Sequence, residues 1–174
     1  EVSETVTKLV LQEGVTGFNE NVTVDLPNLT EVQIPASCTN IEDIWFAFDF
    51  NDKLEKIEVS SGNAKFSSVD GVLYNESGEK LLFYPHNKPD EVFILPDTCT
   101  EIDELYSYKV KELNLGTNLK TINNHIGGEN VTLIKIPATL QHIIGSVFDV
   151  TEKLTNVIID KNNPYLCYIY LHNC

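Results

Sequence analysis

The side chains of this 174-residue chain that could do chemistry are four histidines, four cysteines and 26 carboxylates. Imidazoles can shuttle protons or bind a metal, but His86, His125, His142 and His172 fall in four different contexts without the close ligand spacing of a zinc site. They read as surface or half-buried residues, with His142 at an exposed turn. Paired carboxylates could hydrolyse a glycoside, yet nothing in the sequence singles out a pair. The chain has no GxSxG elbow, HExxH, P-loop, GxGxxG or CxxC. No catalytic residue, metal ligand or cofactor is expected, and the chain is not expected to be an enzyme. What remains is recognition by a polar surface, and that depends on the elements that order it.

Those elements repeat. An apolar triplet, with its second member three residues after the first and its third two further on, recurs five times. It is Leu29, Val32, Ile34; Leu54, Ile57, Val59; Val110, Leu113, Leu115; Val131, Ile134, Ile136; and Leu154, Val157, Ile159. Val6, Leu9 and Leu11 fit the pattern too, as do Phe93 and Leu95 with Asp90 in the first slot. About seven residues after each triplet comes another apolar residue: Phe18, Ile41, Phe66, Ile102, Ile122, Ile143 and Leu166. The starts at 6, 29, 54, 90, 110, 131 and 154 are spaced by 23, 25, 36, 20, 21 and 23 residues, which is leucine-rich spacing with one enlarged coil. One coil cannot bury its apolar face alone, so the coils must stack, each adding a short strand to a parallel sheet. The expectation is a β-rich α/β leucine-rich-repeat solenoid of about seven coils, its convex side irregular or short helical.

In "LTEVQIPASCTNIEDIWFAF" and "VTLIKIPATLQHIIGSVF" the chain resembles the BspA-like leucine-rich repeat family of bacterial and some protozoan surface proteins. "NAKFSSVDGVLYNESGEKLLFYP" is similar to that family's hairpin insertion, here placed at about 63–89 within a single domain spanning 1–174. The coil after Val110 departs from the pattern, with Gly116 for the usual proline and "NNHIGG" where an aromatic is expected. The resemblance implies a non-catalytic recognition module of a secreted or cell-surface protein, part of a longer chain, that adheres to host proteins, extracellular matrix or other cells. A structural spacer or cap in a larger surface protein is the alternative, and carbohydrate binding a third. Trp45 in "IWFAF" reads as core packing.

Alternation along each strand turns the residues flanking the middle of the triplet onto the sheet face. The candidate binding residues there are Glu31, Gln33, Lys56, Glu58, Glu112, Asn114 and Lys135. Val92 and Ile94 share that face and are expected to be covered by the hairpin. The hairpin, read as "GVLY", a turn in "NESGE" and "KLLFY", reads first as structural decoration of the enlarged coil and, in the alternative, as presenting Tyr74, Tyr84, Phe83 and His86 to a ligand.

With 12 Lys, no Arg and a formal charge of −14, the chain has no basic stripe for nucleic acid. It has no apolar run long enough to span a membrane as a helix. The polar, Met-less start is expected to reflect a trimmed chain whose signal peptide or anchor is left out. Cys38 and Cys99 each follow a proline by three and lie two coils apart, so strand stacking puts their Cα atoms about 10 Å apart, beyond the roughly 7 Å a disulfide spans. Two buried free thiols are expected. Cys167 and Cys174 could either bridge or stay free. An aromatic edge formed by Tyr165, Tyr168, Ile169, Tyr170 and Leu171 would allow a weak dimer, the alternative being a monomer. N-x-Ser/Thr triplets at Asn21, Asn28, Asn75 and Asn130 are not treated as sites.

Overall fold

The computed structural model describes residues 3–24, 26–144, 147–148 and 150–165. Cys167, Cys174, Leu166, His172 and the edge residues 168–171 lie outside them. The chain divides into two compact units, residues 1–78 with 82–88, and residues 79–81 with 89–174.

In the first unit the triplets form the parallel strands Lys8–Val10, Glu31–Ile34 and Lys56–Val59, in a register that aligns Leu9, Val32 and Ile57. Leu29, Val32, Ile34, Leu54 and Ile57 are fully buried. Backbone bonds run from coil to coil: Thr30 N donates to Thr7 O at 2.7 Å and Glu55 N to Thr30 O at 2.9 Å. Polar corners are filled by asparagines. Asn63 donates through Nδ2 to Pro35 O (2.9 Å) and Cys38 O (2.7 Å), while its Oδ1 accepts from Lys65 N and Phe66 N, both at 2.9 Å. Four satisfied bonds let a buried amide lock one coil onto the previous one.

The apolar residue that follows each triplet does more than fill the core. Phe18 and Ile41 align in a second pair of parallel strands, Gly17–Phe18 and Asn40–Ile41. Beyond them lie a short 3-10 turn, Glu20–Val22, and helix α1, Ile44–Asp49, capped by the Asp43 carboxylate, which accepts from Phe46 N at 3.2 Å. The stretch that follows the triplets in this unit thus combines a strand pair with short helical turns, because coils stacked at strand spacing bring their backbones into bonding register.

The insertion lies within the expected 63–89 and gains a strand ahead of "GVLY". Val72–Asn75, the "GVLY" strand, pairs antiparallel with Phe66–Val69 through an Asp70–Gly71 turn, and Lys80–Phe83 is its other neighbour. Asp70 and Gly71 take φ of 50° and 77°, the left-handed pair that a tight two-residue hairpin needs. This turn also docks, since Ile57 N donates to Gly71 O at 2.9 Å. A Cβ on Gly71 would stand 2.7 Å from Lys56 Cβ, so only glycine fits.

In the second unit the triplets form the parallel strands Val92–Ile94, Glu112–Asn114, Leu133–Ile136 and Asn156–Ile159, aligning Phe93, Leu113, Ile134 and Val157. A second parallel row aligns Leu81, Ile102, Ile122 and Ile143. A third pairs Leu105–Ser107 with Ile126–Gly128. That pairing accounts for the irregular "NNHIGG": a Cβ on Gly128 would fall 1.8 Å from Ser107 O. The glycine replaces the expected aromatic because here the backbone of the neighbouring coil occupies the space. Cys38 and Cys99 are buried and free, as expected.

Candidate functional site

Each unit offers a sheet face, and the seven candidate residues on strands fall on these two faces. In the first unit strand register sets Lys8, Glu31 and Lys56 side by side, and Val10, Gln33 and Glu58 beside them. Glu31 is the hub. Its carboxylate meets Lys8 Nζ at 2.9 Å and Lys56 Nζ at 3.4 Å, and accepts from Gln33 Nε2 at 2.8 Å. The Lys8 hydrogen bond, outweighing partial desolvation and aided by Gln33 and Lys56, holds the Glu31 carboxyl below the usual range. Lys56 also approaches Glu58 at 4.0 Å.

In the second unit, register places Val92, Glu112, Leu133 and Asn156 in one row, and Ile94, Asn114, Lys135 and Ile158 in the next. Lys135 and Glu112 pair at 2.5 Å. Asn114 is committed locally, its Oδ1 accepting from Gly116 N at 3.2 Å. Val92 is 51% exposed and Ile94 63%, so the expected cover by the hairpin is not there. The physical reason is the docking of Gly71 on Ile57, which lays the hairpin along strand Lys56–Val59.

Two candidates are corrected. Tyr74 and Tyr84 are each 1% exposed and cannot be presented to a ligand. Phe83 and His86 are buried as well, in an aromatic nest where Phe83 lies 5.4 Å from Phe48 and 5.2 Å from His86 between ring centroids, and Trp45 packs 6.3 Å from Phe83. The insertion carries its aromatics inward because they fill the enlarged coil. Burial lowers the His86 pKa to about 4, with the Asp52 charge opposing. His86 is therefore a core residue, where a surface or half-buried one was expected. His142 is exposed, on strand His142–Ile143. Among the described residues no three His, Cys, Asp or Glu side chains come together to hold a metal.

What the sequence reading missed is on α1. Trp45 packs inward, as expected, but Phe46 and Phe50 point out, 50% and 51% exposed and stacked with centroids 6.4 Å apart. Their separation by four residues, across a short helix that buries Ala47 and Phe48 and ends in Phe50 as its C-cap, is the signal that could have found them.

Parallel strand rows in coils of leucine-rich spacing define a leucine-rich-repeat protein. The model of the BspA type leucine rich repeat region matches residues 2–76 and 82–174 in six copies, and the chain belongs to that family. No curated protein matches it. Among solved structures it is similar to the pneumococcal vaccine antigen PcpA, at 22% identity and a TM-score of 0.65 over 91% of this chain and 46% of that one. It is also similar to a leucine-rich repeat protein from Eubacterium ventriosum, at 20% identity and a TM-score of 0.63 over 90% of this chain and 54% of that one. The chain spans about half the length of these structures. No helix among the described residues is long and apolar enough to cross a membrane.

Proposed function

We propose that this chain is a non-catalytic recognition module of a longer secreted or cell-surface protein, and that it binds a protein ligand such as a host or matrix protein. The observation that carries this reading is the sheet face of the second unit, where Val92 and Ile94 stand exposed beside the Glu112–Lys135 ion pair. Apolar anchors next to a polar pair on a regular, pre-ordered surface are what a protein ligand uses, since little conformational entropy is lost on docking. The antigen character of the pneumococcal protein and the family membership support a surface location.

The test is a binding screen of the purified chain on immobilised matrix proteins and a glycan array. Saturable protein binding that is lost in the Val92→Ser, Ile94→Ser double variant supports adhesion through the second unit. Loss in Lys56→Glu, Glu58→Lys instead moves the site to the first. Failure to bind any protein or glycan favours a spacer or cap.

A further inference from the structure

The corner of the first unit formed by α1 and the turn before it is apolar and exposed in a different way from either sheet face. Phe46 and Phe50 present two stacked rings, and Val22 and Val24 are each 39% exposed on the neighbouring segment. That segment is bonded to the helix. Thr23, fully buried between the two valines, donates its hydroxyl to Ala47 O, and Asn51 Nδ2 donates to Thr23 O at 3.0 Å. The four apolar side chains are thus carried on a braced scaffold. The two segments 19–24 and 42–53 carry Glu20, Glu42, Asp43, Asp49 and Asp52, against a single cation, Lys53, with Asp43 engaged as the cap of α1. Lys53 is engaged with the Asn28 side chain. Burial, and then the charge of Asp52, push the Asp49 carboxyl up.

We propose that this corner is a second docking surface, independent of the sheet-face reading, and that it takes a basic amphipathic segment of a partner protein. The apolar side of such a segment packs on Phe46, Phe50, Val22 and Val24 while its lysines or arginines meet the surrounding carboxylates. Charge complementarity selects this occupant. A second copy of a chain with net charge −14 would bring like charges together, and an anionic lipid surface would be repelled by the same carboxylates.

The probe is an 18-residue peptide of leucines and lysines at helical spacing, titrated into the full chain and read by peptide fluorescence anisotropy and by emission of Trp45, the neighbour of Phe46. Saturable binding that shifts Trp45 emission, weakens with salt, and falls about tenfold or more in Phe46→Ser, Phe50→Ser is expected. That variant leaves every charge in place, so unspecific attraction to an acidic protein survives it. Equal binding by wild type and variant, or no response at Trp45, overturns the proposal. So does equal binding of a peptide with glutamates for lysines, binding to phosphatidylserine vesicles in place of the peptide, or a dimer by light scattering that the variant abolishes. The melting temperature of the variant shows that it folds, and the Trp45 response of the wild type stands without it.

Discussion

The sheet faces of the two units are built on the same triplet and end in opposite chemistry. In the first unit Glu31 draws in Lys8, Lys56 and Gln33, so the charges at its centre are paired and Val10 is the exposed apolar residue beside them. In the second, the Glu112–Lys135 pair sits among Val92, Ile94 and Ile158, all exposed. The repeat therefore fixes what points inward and leaves the outward positions free to diverge. A face whose charges are already paired offers a partner less than one whose apolar residues are still in water.

The largest effect tests what the units share. Ile57 and Leu113 are both fully buried at the middle of a triplet. Replacing either with Asp should cost about 4 kcal/mol through an unpaired buried charge, read from chemical denaturation. An unchanged midpoint in either variant would break the common register. Next comes acid, which separates the units. His86 keeps a pKa of about 4 in the folded first unit, whereas the unfolded chain takes up its proton near 6.5. The unfolded state binds more protons between these values, so stability should fall by about 3 kcal/mol as pH drops from about 6.5 to about 4. Glu31, whose pKa is lowered on folding, adds a loss in the same direction at the lower end. His86→Phe should flatten the upper part of this slope, and an identical slope in the variant would remove His86 as its cause.

A smaller change sharpens the contrast of the faces. Lys56→Glu sets a third carboxylate beside Glu31 and Glu58 and should cost about 1 kcal/mol, less at high salt. Smallest of all is Ile94→Lys, which should leave stability within about 0.5 kcal/mol while weakening ligand capture. A marked loss of stability there would mean that Ile94 is covered.

Much of the inner architecture is legible in the sequence, because burying one coil against the next imposes a strict apolar period. The triplets, the buried thiols and the inward Trp45 all follow from that period. The insertion is less legible: "VDGV" is a hairpin signal, but nothing in it says that Gly71 docks on Ile57. Its aromatics suit a structural or a ligand-facing role equally in the sequence, since Tyr and His have polar tips that suit either environment, and burial decides for the first. Phe46 and Phe50 hid for the converse reason, two apolar residues in an aromatic run where burial is the ordinary outcome. Gly128 shows a third limit, a backbone collision that only the neighbouring coil defines.

Cys38 and Cys99 give each unit its own clock. One of these two thiols lies in each, both are buried, and burial pushes both pKa values up, opposed by backbone hydrogen bonds. A thiol reagent reaches neither until its coil opens. With Cys167 and Cys174 replaced by Ser, the rates at which a mass label appears at Cys38 and at Cys99 measure the opening frequency of the first and second unit in the same tube, without denaturant.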